Sequence, residues 1–154
     1  MSHHSATLEW QRSTGDFVYE TYDRAHSIDF GPGIRVAGTA ARGNIPPDAP
    51  HLPGVDPEQS FVASLSACHM LWFLHLACQA RWLVDSYTDN ANGTLEKRAD
   101  GKMAMTRVTL RPKVLFGGNS KPDTAAVAAL HHQAHEHCFI ANSVLTEIRV
   151  EPQG

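Results

Sequence analysis

Three cysteines, Cys68, Cys78 and Cys138, and ten histidines carry most of the reactive chemistry available to this 154-residue chain. An odd number of widely spaced cysteines suits catalytic or buried thiols better than a secreted disulfide scaffold. Cys68 lies in Leu65-Ser66-Ala67-Cys68-His69, inside an apolar stretch, where a cysteine ordinarily acts as a small apolar filler. Cys138 follows a second helix-forming stretch, and a thiol just past a helix end is less readily explained as filling. Cys78, in no recognisable motif, is expected to pack in the core. His131 and His135 are spaced i,i+4, as zinc ligands can be, with His137 close by, but no third ligand is evident. Their first reading is structural or surface histidine, then a metal site, then local tuning of Cys138. His69 adjoins Cys68, but adjacent helical residues point about 100° apart, so it is not read as the base of that thiol.

These residues need elements to hold them. Asp56-Pro57-Glu58 opens a helix well, with Asp as cap, Pro in the first turn and Glu at the positive end of the dipole. That helix is expected to reach about Arg81. It is apolar nearly all round, through Phe61, Leu65, Leu71, Trp72, Phe73, Leu74 and Leu76, so it belongs at the centre of the fold and needs cover on more than one side. Ahead of it, Ala6–Gln11, Phe17–Tyr22, Ser27–Phe30 and Ile34–Ala37 read as short strands of an antiparallel meander, with Gly31-Pro32-Gly33 as a turn. A proline- and glycine-rich loop follows over 38–56; loops of that length tend to be functional. Strands return over Leu83–Phe116, a second helix over Pro122–His137, and a last strand over Val144–Val150. The order gives one α+β domain over residues 1–154, with residues 1–5 expected to be disordered.

Two stretches resemble the OsmC/Ohr family. Asp56-Pro57-Glu58-Gln59, followed by the apolar run to Ala67-Cys68, is similar to the family's first signature, although Asp56 stands where the family usually has Asn. Ala134 to Ser143, with Cys138 inside it, is similar to the second cysteine box. The resemblance implies antiparallel sheets around a long central helix in an intertwined homodimer. It also implies a peroxidase in which Cys68 attacks an organic hydroperoxide, Cys138 closes a disulfide, and an external dithiol reduces it. Such chemistry needs a lowered thiol pKa, a nearby resolving thiol and an apolar cleft. The family pairs the reactive cysteine with an arginine held by a glutamate. Glu58 matches the glutamate; Arg42 is the first choice for the arginine, Arg35 the second and Arg24 the third. Glu58 precedes Cys68 by ten residues, about 15 Å on one helix. A site using both therefore combines two chains. Asn142 and Ser143 are expected to hydrogen-bond at a turn.

A formal net charge of −3 argues against a nucleic-acid partner. No apolar run long enough to span a bilayer is read, and no secretory signal, so the cytoplasm is the expected location. No cofactor and no metal are expected. Two further readings remain at this point: a protein on the same fold that holds a lipid or another apolar ligand without catalysis, and a zinc-dependent hydrolase built on the histidines.

Overall fold

The computed structural model describes residues 1–153 of the chain. They divide into two compact units, Met1–Ser60 and Phe61–Gly154. In the first, strands β1 (Thr7–Glu9), β2 (His26–Asp29) and β3 (Arg35–Gly38) form an antiparallel sheet in chain order. The Gly31-Pro32-Gly33 signal turns β2 into β3: both glycines take positive φ, and the Ile34 amide donates to Gly31 O. The long loop contains one 3₁₀ turn at Arg42–Asn44 and returns to the sheet through a Gly38–Val55 bridge.

Helix α1 (Pro57–Gln79) starts where its sequence directs. Asp56 Oδ1 accepts from the Gln59 amide at 2.7 Å, and Gln59 Oε1 accepts from the Asp56 amide at 3.2 Å. This reciprocal cap satisfies two amides that the helix leaves unpaired. Arg81, with φ 62°, turns the chain out of the helix in the left-handed region.

The second unit pairs β4 (Val84–Asp89) with β7 (Pro112–Phe116) in a two-stranded sheet. A three-stranded sheet orders β5 (Asn92–Lys97), β6 (Met103–Leu110) and β8 (Glu147–Val150), where β6 and β8 run parallel. Helix α2 (Thr124–His137) is capped by Asp123, whose carboxylate accepts from the Ala126 amide at 2.8 Å. One face of α1, the stripe Leu65, His69, Phe73 and Ala77, is buried. Phe73 and Ala77 join Leu130 and Ala134 of α2 in one apolar cluster, and Leu65 joins Val108 and Leu110 of β6 in another. Gly93 lets β5 approach α1, since a Cβ there would meet Val62 Cγ2 at 2.7 Å.

The α+β class and the central helix agree with the sequence reading. Several local expectations are corrected. Phe17–Tyr22 is not a strand: its chain turns at Tyr19–Thr21, and the Thr21 and Tyr22 amides donate to Val18 O. Those aromatic residues favour a strand, but they pack as a Trp10–Phe17–Tyr22 cluster instead. The last strand begins at Glu147 rather than Val144, because Ala141–Ser143 forms a 3₁₀ turn and Thr146 spends its hydroxyl on Met105 O. Cys78 is exposed, not core, because the buried stripe of α1 passes through Ala77 beside it. Helix α1 is also long and apolar enough, by length and composition alone, to cross a membrane. The expectation that no apolar run reaches that length is corrected, while the buried stripe of α1 packs against protein.

Candidate active site

Cys68 sits on α1 one residue before the buried stripe and is half-buried; Cys138 caps the C-terminus of α2 and is buried, at 1% exposure. The two side chains are neighbours, close enough for Cys68 to act on the Cys138 thiol, although strands of two sheets separate them along the chain. Burial pushes the Cys138 thiol up to about 11, and the neighbouring Cys68 thiol pushes the same way. Backbone amides of Ala141 and Ile140 oppose this, Ala141 N–H donating to Cys138 Sγ at 3.4 Å. At neutral pH Cys138 therefore keeps its proton and can offer it to Cys68. The arrangement is asymmetric: Cys68 is half-buried, and Cys138 is sealed and neutral beside it.

The segment after Cys138 is held by its own side chains. Asn142 Nδ2 donates to Glu136 O at 2.9 Å and Ser143 Oγ to Phe139 O at 2.6 Å, the turn role expected of both residues. Aromatic rings from α1 and from the end of α2 meet beside Cys138. Trp72, one turn beyond Cys68, stacks on His137 with centroids 5.0 Å apart and meets Phe139 edge-on at 5.4 Å. His137 and Phe139 flank Cys138. The sequence showed Trp72 only as a helical apolar residue; its pairing with the second cysteine box depends on how α2 is laid against α1.

The charged candidates lie in the first unit. A cavity of about 630 Å³ is lined by Trp10, Phe17, Tyr22, Arg24, His26 and Glu58, among others. Arg24 is buried: Nη1 donates to Tyr22 O at 2.8 Å, Nη2 to Tyr19 O at 2.7 Å, and the guanidinium lies 3.8 Å from the Tyr22 ring centroid. Such stacking with forked donation is a guanidinium property that lysine lacks. Glu58 accepts from Asn44 Nδ2 at 3.1 Å. His26 Nδ1–H donates to Arg24 O at 2.9 Å, and its ring fills the space that a Cβ on Gly38 would need. Arg42 is exposed at the 3₁₀ turn, donates to Ala49 O at 3.0 Å and does not line this cavity. Arg35 is exposed and paired with Glu9. Of the three arginines, Arg24 is the one that shares a cavity with Glu58.

Among the described residues, no group of three or more His, Cys, Asp or Glu side chains is placed to hold a metal ion. Of the candidate histidines of α2, His131 is buried, His135 half-buried and His137 exposed.

Comparison with known proteins follows the same lines. A family model described as OsmC-like protein matches residues 49–153. An OsmC-like protein of unknown function from Vibrio cholerae is 47% identical, with a TM-score of 0.94 over 99% of this chain and 100% of that one. The organic hydroperoxide resistance protein OhrB of Bacillus subtilis shares the fold at 18% identity, with a TM-score of 0.70 over 99% of this chain and 98% of that one. An organic hydroperoxide resistance protein OsmC from Legionella pneumophila shares it at 14% identity and a TM-score of 0.66 over the full length of both. No curated protein matches. The two cysteine boxes, the α+β fold around α1 and these matches together make the chain a member of the OsmC-like protein family.

Proposed function

We propose that this protein is a two-cysteine thiol peroxidase that reduces organic hydroperoxides to alcohols. The observation that carries the reading is the pairing of a half-buried Cys68 with a sealed Cys138 beside it. Cys68, as thiolate, attacks the terminal peroxide oxygen; the O–O bond breaks, the alkoxide leaves and takes a proton to become the alcohol, and Cys68 is left as a sulfenic acid. Cys138 then attacks that sulfur, and its proton leaves with the displaced hydroxide as water. An external dithiol returns the disulfide to two thiols. Because Cys138 is neutral until that moment, it is a poor competitor for the peroxide, and its contact with Cys68 limits over-oxidation of the sulfenic acid. The names of the Bacillus and Legionella relatives are consistent with this substrate class.

The working unit in this reading is a homodimer. Glu58 and Cys68 are ten residues apart on the continuous helix α1, about 15 Å at its rise. The cavity containing Arg24 and Glu58 is then completed by the thiol of the partner subunit, with Arg24 rather than Arg42 supplying the positive charge and Glu58 orienting it. Support for Arg24 comes from its burial and its place in that cavity. The cytoplasm, where dithiol reductants keep thiols reduced, is the fitting compartment.

Mixing the reduced protein with cumene hydroperoxide should consume two thiols per chain and yield a Cys68–Cys138 disulfide; full turnover by Cys68→Ser would refute the mechanism. The largely apolar cavity also supports a second reading, a carrier of an apolar acid on the same fold. A lipid co-purifying with the protein at one per chain, together with slow peroxide chemistry, would favour the carrier.

A further inference from the structure

Helix α1 carries Cys68 and α2 ends at Cys138, and a second link joins the two helices in the same unit. His69 follows Cys68 directly on α1, and His131 stands seven residues, about two turns, before Cys138 on α2. The rings are 1% and 3% exposed. His69 Nε2 lies 3.1 Å from His131 Nδ1, with the ring planes inclined by 3°, and Phe73 stacks on His131 at 4.3 Å. The outer nitrogens, His69 Nδ1 and His131 Nε2, have no hydrogen-bond partner among the described residues. The bond between the rings is thus the polar contact that both side chains retain.

Two imidazoles with half their hydrogen-bonding capacity unmet are a costly filling for a core. An apolar pair of similar volume would avoid that desolvation, and replacing a buried polar pair in this way is often neutral or stabilising. What the pair adds is direction. Apolar contacts tolerate small slides between helices, whereas a hydrogen bond fixes both the spacing and the rotation of the two rings. The cysteines need that control. A disulfide demands Cβ atoms roughly 3.5–4.5 Å apart and a sulfur–sulfur bond of about 2.05 Å. A small rotation of α2 about its axis is enough to take Cys138 out of that range.

We infer that His69 and His131 form a latch that sets the register of α2 against α1 and so holds Cys138 within bonding reach of Cys68. Both are positioning residues: no hydrogen bond joins either ring to a thiol among the described residues. The inference rests on the reading of Cys68 and Cys138 as a disulfide-forming pair. Burial holds both imidazoles neutral at pH 7, His69 and His131 each lowered to about 4, so the latch works as a neutral donor–acceptor pair. The other groups that act on it are His135 of α2 and Asp89 of β4, with Tyr87 beside Asp89.

The test is the equilibrium between the Cys68–Cys138 dithiol and disulfide in mixtures of reduced and oxidised glutathione at pH 7. This needs no hydroperoxide. Wild type is compared with His131→Leu, which fills the space without the bond, and with His131→Asn, whose amide reaches the position of Nδ1. Urea midpoints report folding alongside. His131→Leu is expected to remain folded and to lower the equilibrium constant for disulfide formation about tenfold. His131→Asn should stay within about threefold of wild type. Equal constants for wild type and His131→Leu, or a loss in His131→Asn as large as in His131→Leu, would overturn the latch. Absence of a disulfide in the wild type would overturn it too. Peroxidase activity is measured separately with cumene hydroperoxide: a protein without turnover but with the expected glutathione pattern loses the proposed function and keeps the latch.

Discussion

Residues Phe61–Gly154 enclose two buried apolar clusters, built by α1, α2 and the strands behind them, and Phe73, Ala77, Val108 and Ala134 have no exposed surface. Met1–Ser60 has nothing comparable. Its buried apolar side chain is Ala49, while Leu8, Phe17, Tyr19, Phe30 and Ile34 are each more than half exposed. The contrast extends to chemistry: Cys68 and Cys138 lie in the unit with a core, and the buried guanidinium of Arg24 lies in the unit without one. Leu8 of β1 and the loop residues Phe17, Tyr19, Phe30 and Ile34 together leave a large apolar surface open, of the kind that a partner surface covers. This is a physical argument for the homodimer proposed above, independent of the distance between Glu58 and Cys68.

The comparison can be broken most directly at Phe73. Phe73→Ala is expected to destabilise the protein by about 3–5 kcal/mol, since it empties the centre of a closed cluster. A urea titration showing less than about 1 kcal/mol would mean that the second unit does not stand on that core. Next in size is the effect of acid. His69 and His131 bind protons less readily folded than unfolded, each falling from 6.5 to about 4. The unfolded chain therefore takes up protons first as pH falls, and stability drops between about pH 6.5 and pH 4, then levels. Each unit of such a shift corresponds to about 1.4 kcal/mol, and the two rings are coupled. Urea midpoints across that range should fall with acid, and should fall less in His69→Gln/His131→Asn; a flat profile would place the rings in water.

A smaller effect probes the boundary between the units. Asp56→Ala removes the carboxylate from the reciprocal cap of α1 and is expected to cost about 1 kcal/mol, read as a drop in Tm of a few degrees. Smallest in stability, yet most telling for the first unit, is Phe17→Ser. An exposed residue should change the stability of an isolated chain by no more than about 0.5 kcal/mol. If the exposed aromatic face is covered by a second copy, the same substitution should shift sedimentation toward monomer. A monomeric wild type at all accessible concentrations would remove that role from the face.

Elements with strong local signals were legible from the sequence. The start of α1 follows from Asp56, Pro57 and Glu58, the β2–β3 turn from Gly31-Pro32-Gly33, and the return to strands from Leu83–Phe116. Phe17–Tyr22 misled because its aromatic residues favour a strand when taken alone, and here Arg24 gathers the carbonyls of Tyr19 and Tyr22 and stacks on both rings. Cys78 misled because a helix that is apolar all round does not announce which stripe faces inward.

What the chain determines by itself is local: where helices begin, which residues can serve as thiols or caps, and the spacing that sets Glu58 ten residues from Cys68. What the tertiary structure decided is which distant residues meet. It brought Cys138 to Cys68, put Arg24 instead of Arg42 into the cavity of Glu58, and faced His69 with His131. Capping and turn chemistry act over a few residues and are written in neighbouring side chains. Thiol pairing, the burial of a charge and an imidazole–imidazole bond depend on tenths of an ångström between separate elements, which packing alone fixes.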